Sequence, residues 1–182
     1  FTILGQNGSL YQPVYGTDDD LALYLPFNAP NGSVQFDRSP FGNDGRQTNG
    51  TNCNVTFGKY GAGCEFNGLG GGINVSYNPS FNFSLSRAFT TEAWAKPVSS
   101  TGNPAVIRVG RTGSNERIII DVSSGSWRTV TRNGSSDATT LTGSSVTVNQ
   151  WIHLALTWDG SNVRLYENGV QTPISALPSI SD

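Results

Sequence analysis

The 182-residue sequence predicts an all-β protein, an antiparallel two-sheet sandwich of the jelly-roll type, on three observations. Short runs of alternating apolar and polar residues recur about every ten positions, as the strands of a sandwich do. Turn residues, above all Asp-Gly and Asn-Gly, separate the runs, because such pairs accept the positive φ that tight hairpins require. No stretch shows the apolar period of a helix of ordinary length. The length suits a single principal core.

In chain order, residues 1–19 are polar and turn-rich, run into Asp18-Asp19-Asp20, and read as an arm or linker ahead of a sandwich spanning 20–182. Leu21 to Asn28 is the first expected strand, with Leu21, Leu23 and Leu25 on one side and Ala22 and Tyr24 on the other. A loop rich in Pro, Gly, Asn and Asp follows to Gly50, and Cys64 to Ser76 holds short strands interrupted by Gly68 to Gly72. Further strands are expected at Thr90 to Lys96, stopped by Pro97, at Ala105 to Arg111, at Arg117 to Val122, and at Trp127 to Arg132 after the Ser123-Ser124-Gly125 turn. The clearest segment is Trp151 to Gln171. Ile152, Leu154, Leu156 and Trp158 alternate with His153, Ala155 and Thr157 up to Asp159-Gly160, then Val163 and Leu165 alternate with Arg164 and Tyr166 up to Asn168-Gly169, and a third run begins at Val170. This is a β-meander.

Composition narrows the setting. Only 13% of residues are charged and the formal net charge is −2, so no basic patch points to nucleic acid. No apolar run approaches the roughly 18 residues that span a bilayer, so membrane insertion is not expected. The chain contains no Met, even at position 1, and is read as a processed product or as a piece of a longer chain; removal of a signal peptide is expected, with a location outside the cell or on its surface. Sequons at Asn7, Asn31, Asn49, Asn54, Asn74, Asn82 and Asn133 predict N-glycosylation in the same compartment. The two cysteines, Cys53 and Cys64, lack CxxC spacing, and a structural disulfide worth about 2 to 3 kcal/mol is expected, with two buried free thiols as the alternative.

Several segments together resemble one family. They are Leu-Tyr-Leu-Pro-Phe (23–27), Ser-Pro-Phe-Gly-Asn-Asp-Gly (39–45), Cys-Glu-Phe-Asn-Gly (64–68), Phe-Thr-Thr-Glu-Ala-Trp-Ala-Lys-Pro (89–97), Trp-Ile-His-Leu-Ala-Leu-Thr-Trp-Asp-Gly (151–160) and Val-Arg-Leu-Tyr-Glu-Asn-Gly (163–169). Over residues 20–172 the chain resembles laminin-G-like domains of the concanavalin A-like lectin/glucanase jelly-roll superfamily. The resemblance implies two antiparallel sheets packed face to face, one of them concave. Such domains close with a further strand pair, which the Pro- and Ser-rich residues 173–182 do not match. An open edge of that kind invites an added strand, and residues 1–16 of this chain or a neighbour are the candidate filler.

Catalysis finds little support in the residues. Related glycosidases carry a Glu-X-Asp-X-(X)-Glu cluster on one strand face to supply nucleophile and acid, and Glu65, Glu92, Glu116 and Glu167 form no such cluster. His153, the only histidine, lies mid-strand without a Ser-His-Asp set and reads as structural. Sugar binding is more plausible, since it joins aromatic faces to planar polar groups, and Trp127, Arg128, Arg132, Arg164 and Tyr166 supply both types, with a core Trp127 and ordinary solvated arginines as the alternative. Calcium is a family-level expectation, with Asp37, Asn43 and Asp44 in one loop as oxygen donors. The predicted function is a non-enzymatic extracellular module for adhesion or carbohydrate recognition, with glycans or surface proteins as partners. The alternative is a structural subunit that self-associates into a glycosylated filament or sheath by strand donation.

Overall fold

The computed structural model describes residues 20–29, 34–81, 88–110, 116–133 and 137–172. They are almost entirely β, with one 3-10 turn at Pro79–Phe81, and the chain divides into two compact units, Phe1–Phe81 and Asn82–Asp182. Each unit is built on its own terms.

The first unit holds β1 (Val34–Gln35), β2 (Gly45–Gln47), β3 (Thr51–Gly58), β4 (Gly61–Phe66) and β5 (Ile73–Val75). β1, β2 and β5 form a three-stranded sheet in that order, and β3 and β4 form a separate hairpin. Cys53 and Cys64 stand directly opposite each other in that hairpin and are disulfide-bonded, with Cα atoms 4.0 Å apart. The antiparallel register thus sets the two cysteines side by side on neighbouring strands, where their side chains meet.

Leu21 to Asn28 is not a strand, contrary to its alternating pattern. Pro26 has no N–H to give a ladder, and Phe27 takes a left-handed φ of 55°, which ends any extended run. The segment instead bonds to the loop after β1: Arg38 N donates to Tyr24 O at 2.9 Å, and Tyr24 N donates to Asp37 Oδ1 at 2.8 Å.

The second unit is a two-sheet sandwich. Its strands are β6 (Phe89–Ala95), β7 (Ala105–Gly110), β8 (Glu116–Ser123), β9 (Ser126–Asn133), β10 (Asp137–Ser145), β11 (Ile152–Trp158), β12 (Val163–Glu167) and β13 (Val170–Gln171). One antiparallel sheet has the order β10-β9-β8-β7 and the other β13-β12-β11-β6. The core between them takes Ile118, Ile120, Val122, Trp127 and Leu141 from the first sheet and Leu154, Leu156, Trp158, Val163 and Leu165 from the second. Alternate residues therefore face outward on each sheet.

The expected turns close the meander. Asn168 and Gly169 have φ of 51° and 80°, as do Ser124 and Gly125 at 51° and 79°, the left-handed pairs that match hairpin twist. At the 159–162 turn, Asp159 Oδ1 accepts hydrogen bonds from Ser161 N at 2.9 Å and Asn162 N at 2.7 Å. Across the sandwich, Ser144 N donates to Glu167 Oε1 at 2.8 Å, and Gly143 leaves room for that carboxylate, which a Cβ would displace.

Candidate functional site

The outward faces of the two sheets of the sandwich contrast sharply. On the β7–β10 sheet, the register sets Arg108, Ile119, Val130 and Thr140 in one row and Asp121, Arg128 and Thr142 in the next. This face is sealed over much of its area, with Ile119 at 6%, Asp121 at 1% and Val130 at 5% exposure. Arg128 makes a bidentate pair with the buried carboxylate, Nε to Oδ1 at 2.9 Å and Nη2 to Oδ2 at 2.6 Å. The Asp121 hydrogen bond raises the Arg128 pKa above its ordinary value, more than burial lowers it. Arg128 is thereby committed to holding a buried charge. Arg132 on the same face is half-buried, and its Nε is buried without a hydrogen-bond partner.

Trp127 requires a correction. Among the five residues named for sugar binding, Trp127 is 2% exposed and lies in the core opposite Val122, which is the alternative reading of it. It cannot offer its face to a sugar. Inward-facing Thr129 and Thr131, both buried, had disguised the parity of β9, whose outward positions are Arg128, Val130 and Arg132.

The β6–β13 sheet has the open face. Trp94 pairs with His153, Glu92 with Ala155 and then Tyr166, and Thr90 with Thr157 and then Arg164, so these residues stand in three adjoining rows. Trp94 is 41% exposed, and its ring centroid lies 5.3 Å from that of His153 in a tilted arrangement. His153 Nε2 lies 3.5 Å from Glu92 Oε2, whose side chain is 63% exposed. Ala155, between Glu92 and Tyr166, is 8% exposed, so the middle of the face lies low between larger neighbours. Arg164 Nη1 donates to Asp159 Oδ2 at 2.6 Å, and that bond, with the Ser161 and Asn162 amides, holds the Asp159 carboxyl well below the usual range. The Arg164 pKa rises for the same reason.

Of the five residues expected to bind ligand, only Arg164 and Tyr166 share this face, while Arg128 and Arg132 stand on the opposite sheet. Trp94, Glu92 and His153 were not chosen from the sequence. A signal for them existed: Thr90, Glu92 and Trp94 have one parity in β6, and the polar pair marks that parity as outward.

The three residues expected to ligate calcium form a self-contained loop in the first unit. Asp37 Oδ1 accepts from Tyr24 N and Ser39 N, and Oδ2 from Asn43 N at 2.7 Å and Ser39 Oγ at 2.5 Å. Asp44 Oδ1 accepts from Asp37 N at 2.9 Å, and Asn43 Nδ2 donates to Ala22 O and Ser80 Oγ. Burial would push the Asp37 carboxyl up, but the bonds from Ser39, Tyr24 and Asn43 outweigh it and hold the pKa below its ordinary value. A carboxylate has about four lone-pair sites, and here donors of the chain fill them. Calcium takes about six to eight oxygens, and of the three residues it is Asp37 whose carboxylate is filled in this way. Among the described residues, no three His, Cys, Asp or Glu side chains gather to hold a metal.

Of the sequons, Asn49 and Asn74 are exposed, and Asn54 Oδ1 accepts bonds from Thr56 N and Oγ1. Asn133 ends β9; Asn7, Asn31 and Asn82 lie outside the described residues, as do the arm at 1–19 and the tail at 173–182. No helix among the described residues is long and apolar enough to cross a membrane.

Comparison with known proteins adds to this geometry. Residues 67–181 match the family described as the concanavalin A-like lectin/glucanases superfamily. The binding domain of Paraclostridial Mosquitocidal Protein 1 superposes with a TM-score of 0.62 at 18% identity, covering 80% of this chain and 38% of that one. A structure of botulinum neurotoxin type C gives 0.58 at 15% identity, covering 88% and 39%. The chain thus spans less than two fifths of either structure, and at these identities the likeness is one of fold. No curated protein matches the sequence.

Proposed function

The chain belongs to the concanavalin A-like lectin/glucanase superfamily, and from that premise we propose that it is an extracellular, non-catalytic module for carbohydrate recognition and adhesion whose site is the open face of the β6–β13 sheet. The observation that carries this reading is Trp94, a large aromatic surface 41% exposed, set in one row with His153 and two residues from an exposed carboxylate. An indole offers the apolar face of a pyranose a stacking surface, while Glu92 accepts and His153 exchanges hydrogen bonds with its hydroxyls. The two similar structures point the same way: one is a mosquitocidal protein's binding domain, and the other belongs to a neurotoxin whose cell entry depends upon interaction with two ganglioside molecules. A disulfide and exposed sequon asparagines suit an extracellular setting. The absence of a Glu-X-Asp-X-(X)-Glu cluster from the sequence supports binding over hydrolysis.

The second reading, a subunit assembled by strand donation, draws on sheet edges such as β6. Open edges occur in every sandwich and favour neither reading. A glycan array probed with the native chain and with Trp94→Ala separates them. The proposal expects a set of glycans bound by the native chain and lost by the folded variant. A folded variant that keeps the same glycans would remove the site, and an array without any bound glycan would remove the function.

A further inference from the structure

Resting on that reading, we propose that the open face is a track for an extended, neutral oligosaccharide of three or more rings, running diagonally from Trp94 across Ala155 to Tyr166. The register sets the length. Trp94 lies on β6 opposite His153, and Tyr166 lies on β12 opposite Ala155, two strands across and one two-residue step along. With strands ~4.8 Å apart and a two-residue rise of ~6.8 Å, the two aromatic positions are about 12 Å apart. One pyranose cannot reach both, whereas a short chain can rest an end ring on each aromatic.

The middle of the track is shaped for the intervening ring. Ala155 is its floor, and Glu92 and His153 flank it, a carboxylate and an imidazole 3.5 Å apart that face hydroxyl donors and acceptors. The charges on the face set the ligand class. Glu92 is an exposed anion, and the guanidinium at the Tyr166 end, Arg164, is held by Asp159 at 2.6 Å. Lys96, exposed and two residues beyond Trp94 on the same parity as Glu92, stands just past β6 at the Trp94 end of the track, so the charge argument applies to the stretch from Glu92 to Tyr166. A sialylated or uronic chain would set its carboxylate against Glu92 without a guanidinium released to meet it, which disfavours acidic glycans on this track.

The test is a calorimetric titration of the folded chain with cello-, manno-, xylo- and malto-oligosaccharides of one to six rings, and with oligogalacturonate and sialyllactose as acidic probes. The proposal expects at least one neutral series whose affinity rises tenfold or more from one ring to three and then levels off. Trp94→Ala and Tyr166→Ala should each reduce binding of the trimer at least tenfold while changing monomer binding by less than the trimer loss, and Trp94→Phe should restore most of it. Equal affinity for monomer and trimer would overturn the track and leave carbohydrate recognition standing. Tight binding of the acidic probes alone would overturn the neutral class, again without touching the broader reading. Failure of every probe, with the array also blank, would overturn both.

Discussion

The two outward faces of the sandwich start from similar materials, each with arginine, carboxylate and hydroxyl residues on antiparallel strands, and end in opposite states. On the β7–β10 sheet, Asp121 and Arg128 satisfy each other and Ile119 and Val130 are closed off from solvent. On the β6–β13 sheet, Glu92 and Trp94 remain exposed beside His153. The difference teaches that residue type alone does not mark a binding surface. A charged pair that buries its carboxylate is consumed by stability, whereas a pair that leaves one partner in solvent keeps hydrogen-bonding capacity for a ligand.

Substitutions can break this comparison in order of expected effect. Trp127→Ala should destabilise the second unit by about 4 kcal/mol in denaturant unfolding, since it empties a large space in the core. A stable, folded Trp127→Ala that had lost only glycan binding would return Trp127 to the surface. Arg128→Ala should cost about 3 kcal/mol, because it strands the Asp121 carboxylate, and the double change Arg128→Met with Asp121→Leu should recover most of that loss. Recovery sharpens the view that the sealed face serves stability; glycan binding that fell with Arg128→Ala in a protein of native stability would contradict it.

On the open face the effects move from stability to specificity. Asp159→Asn keeps an acceptor for the Ser161 and Asn162 amides but releases Arg164, and acidic glycans should then gain affinity on an array. The native carboxyl has a depressed pKa, so its contribution to the turn is complete above the ordinary aspartate value and fades as pH falls through the lower folded value. Neutral and mildly acidic buffers should therefore leave the Asp159–Arg164 bond intact. Trp94→Ala should alter stability by less than about 1 kcal/mol, as an exposed position does, while reducing glycan binding tenfold or more.

Much of the sandwich was legible where apolar alternation and turn chemistry agreed. The meander β11–β13, its Asp-Gly and Asn-Gly turns, and strands β6 to β9 follow the expected runs to within a residue or so. β10 escaped notice because its sequence, Asp-Ala-Thr-Thr-Leu-Thr-Gly-Ser-Ser, offers only Leu141 as a large apolar residue, whereas β3 was missed although Cys53, Val55 and Phe57 alternate with Asn52, Asn54 and Thr56. Leu21 to Asn28 misled in the other direction, with a strand-like pattern undone by Pro26 and the left-handed Phe27. The site was harder. Trp127 and Trp94 both lie within strands, and which of them faces inward shows in the cross-strand partners, Val122 for one and His153 for the other, each on a neighbouring strand.

The most direct test of the central claim is a backbone amide NMR titration of the isotopically labelled chain with the tightest-binding glycan from the array. The account predicts that the shifts concentrate at Glu92, Trp94, His153, Ala155 and Tyr166. Shifts centred instead on Arg128 and Arg132, or on the Cys53–Cys64 hairpin, would contradict it.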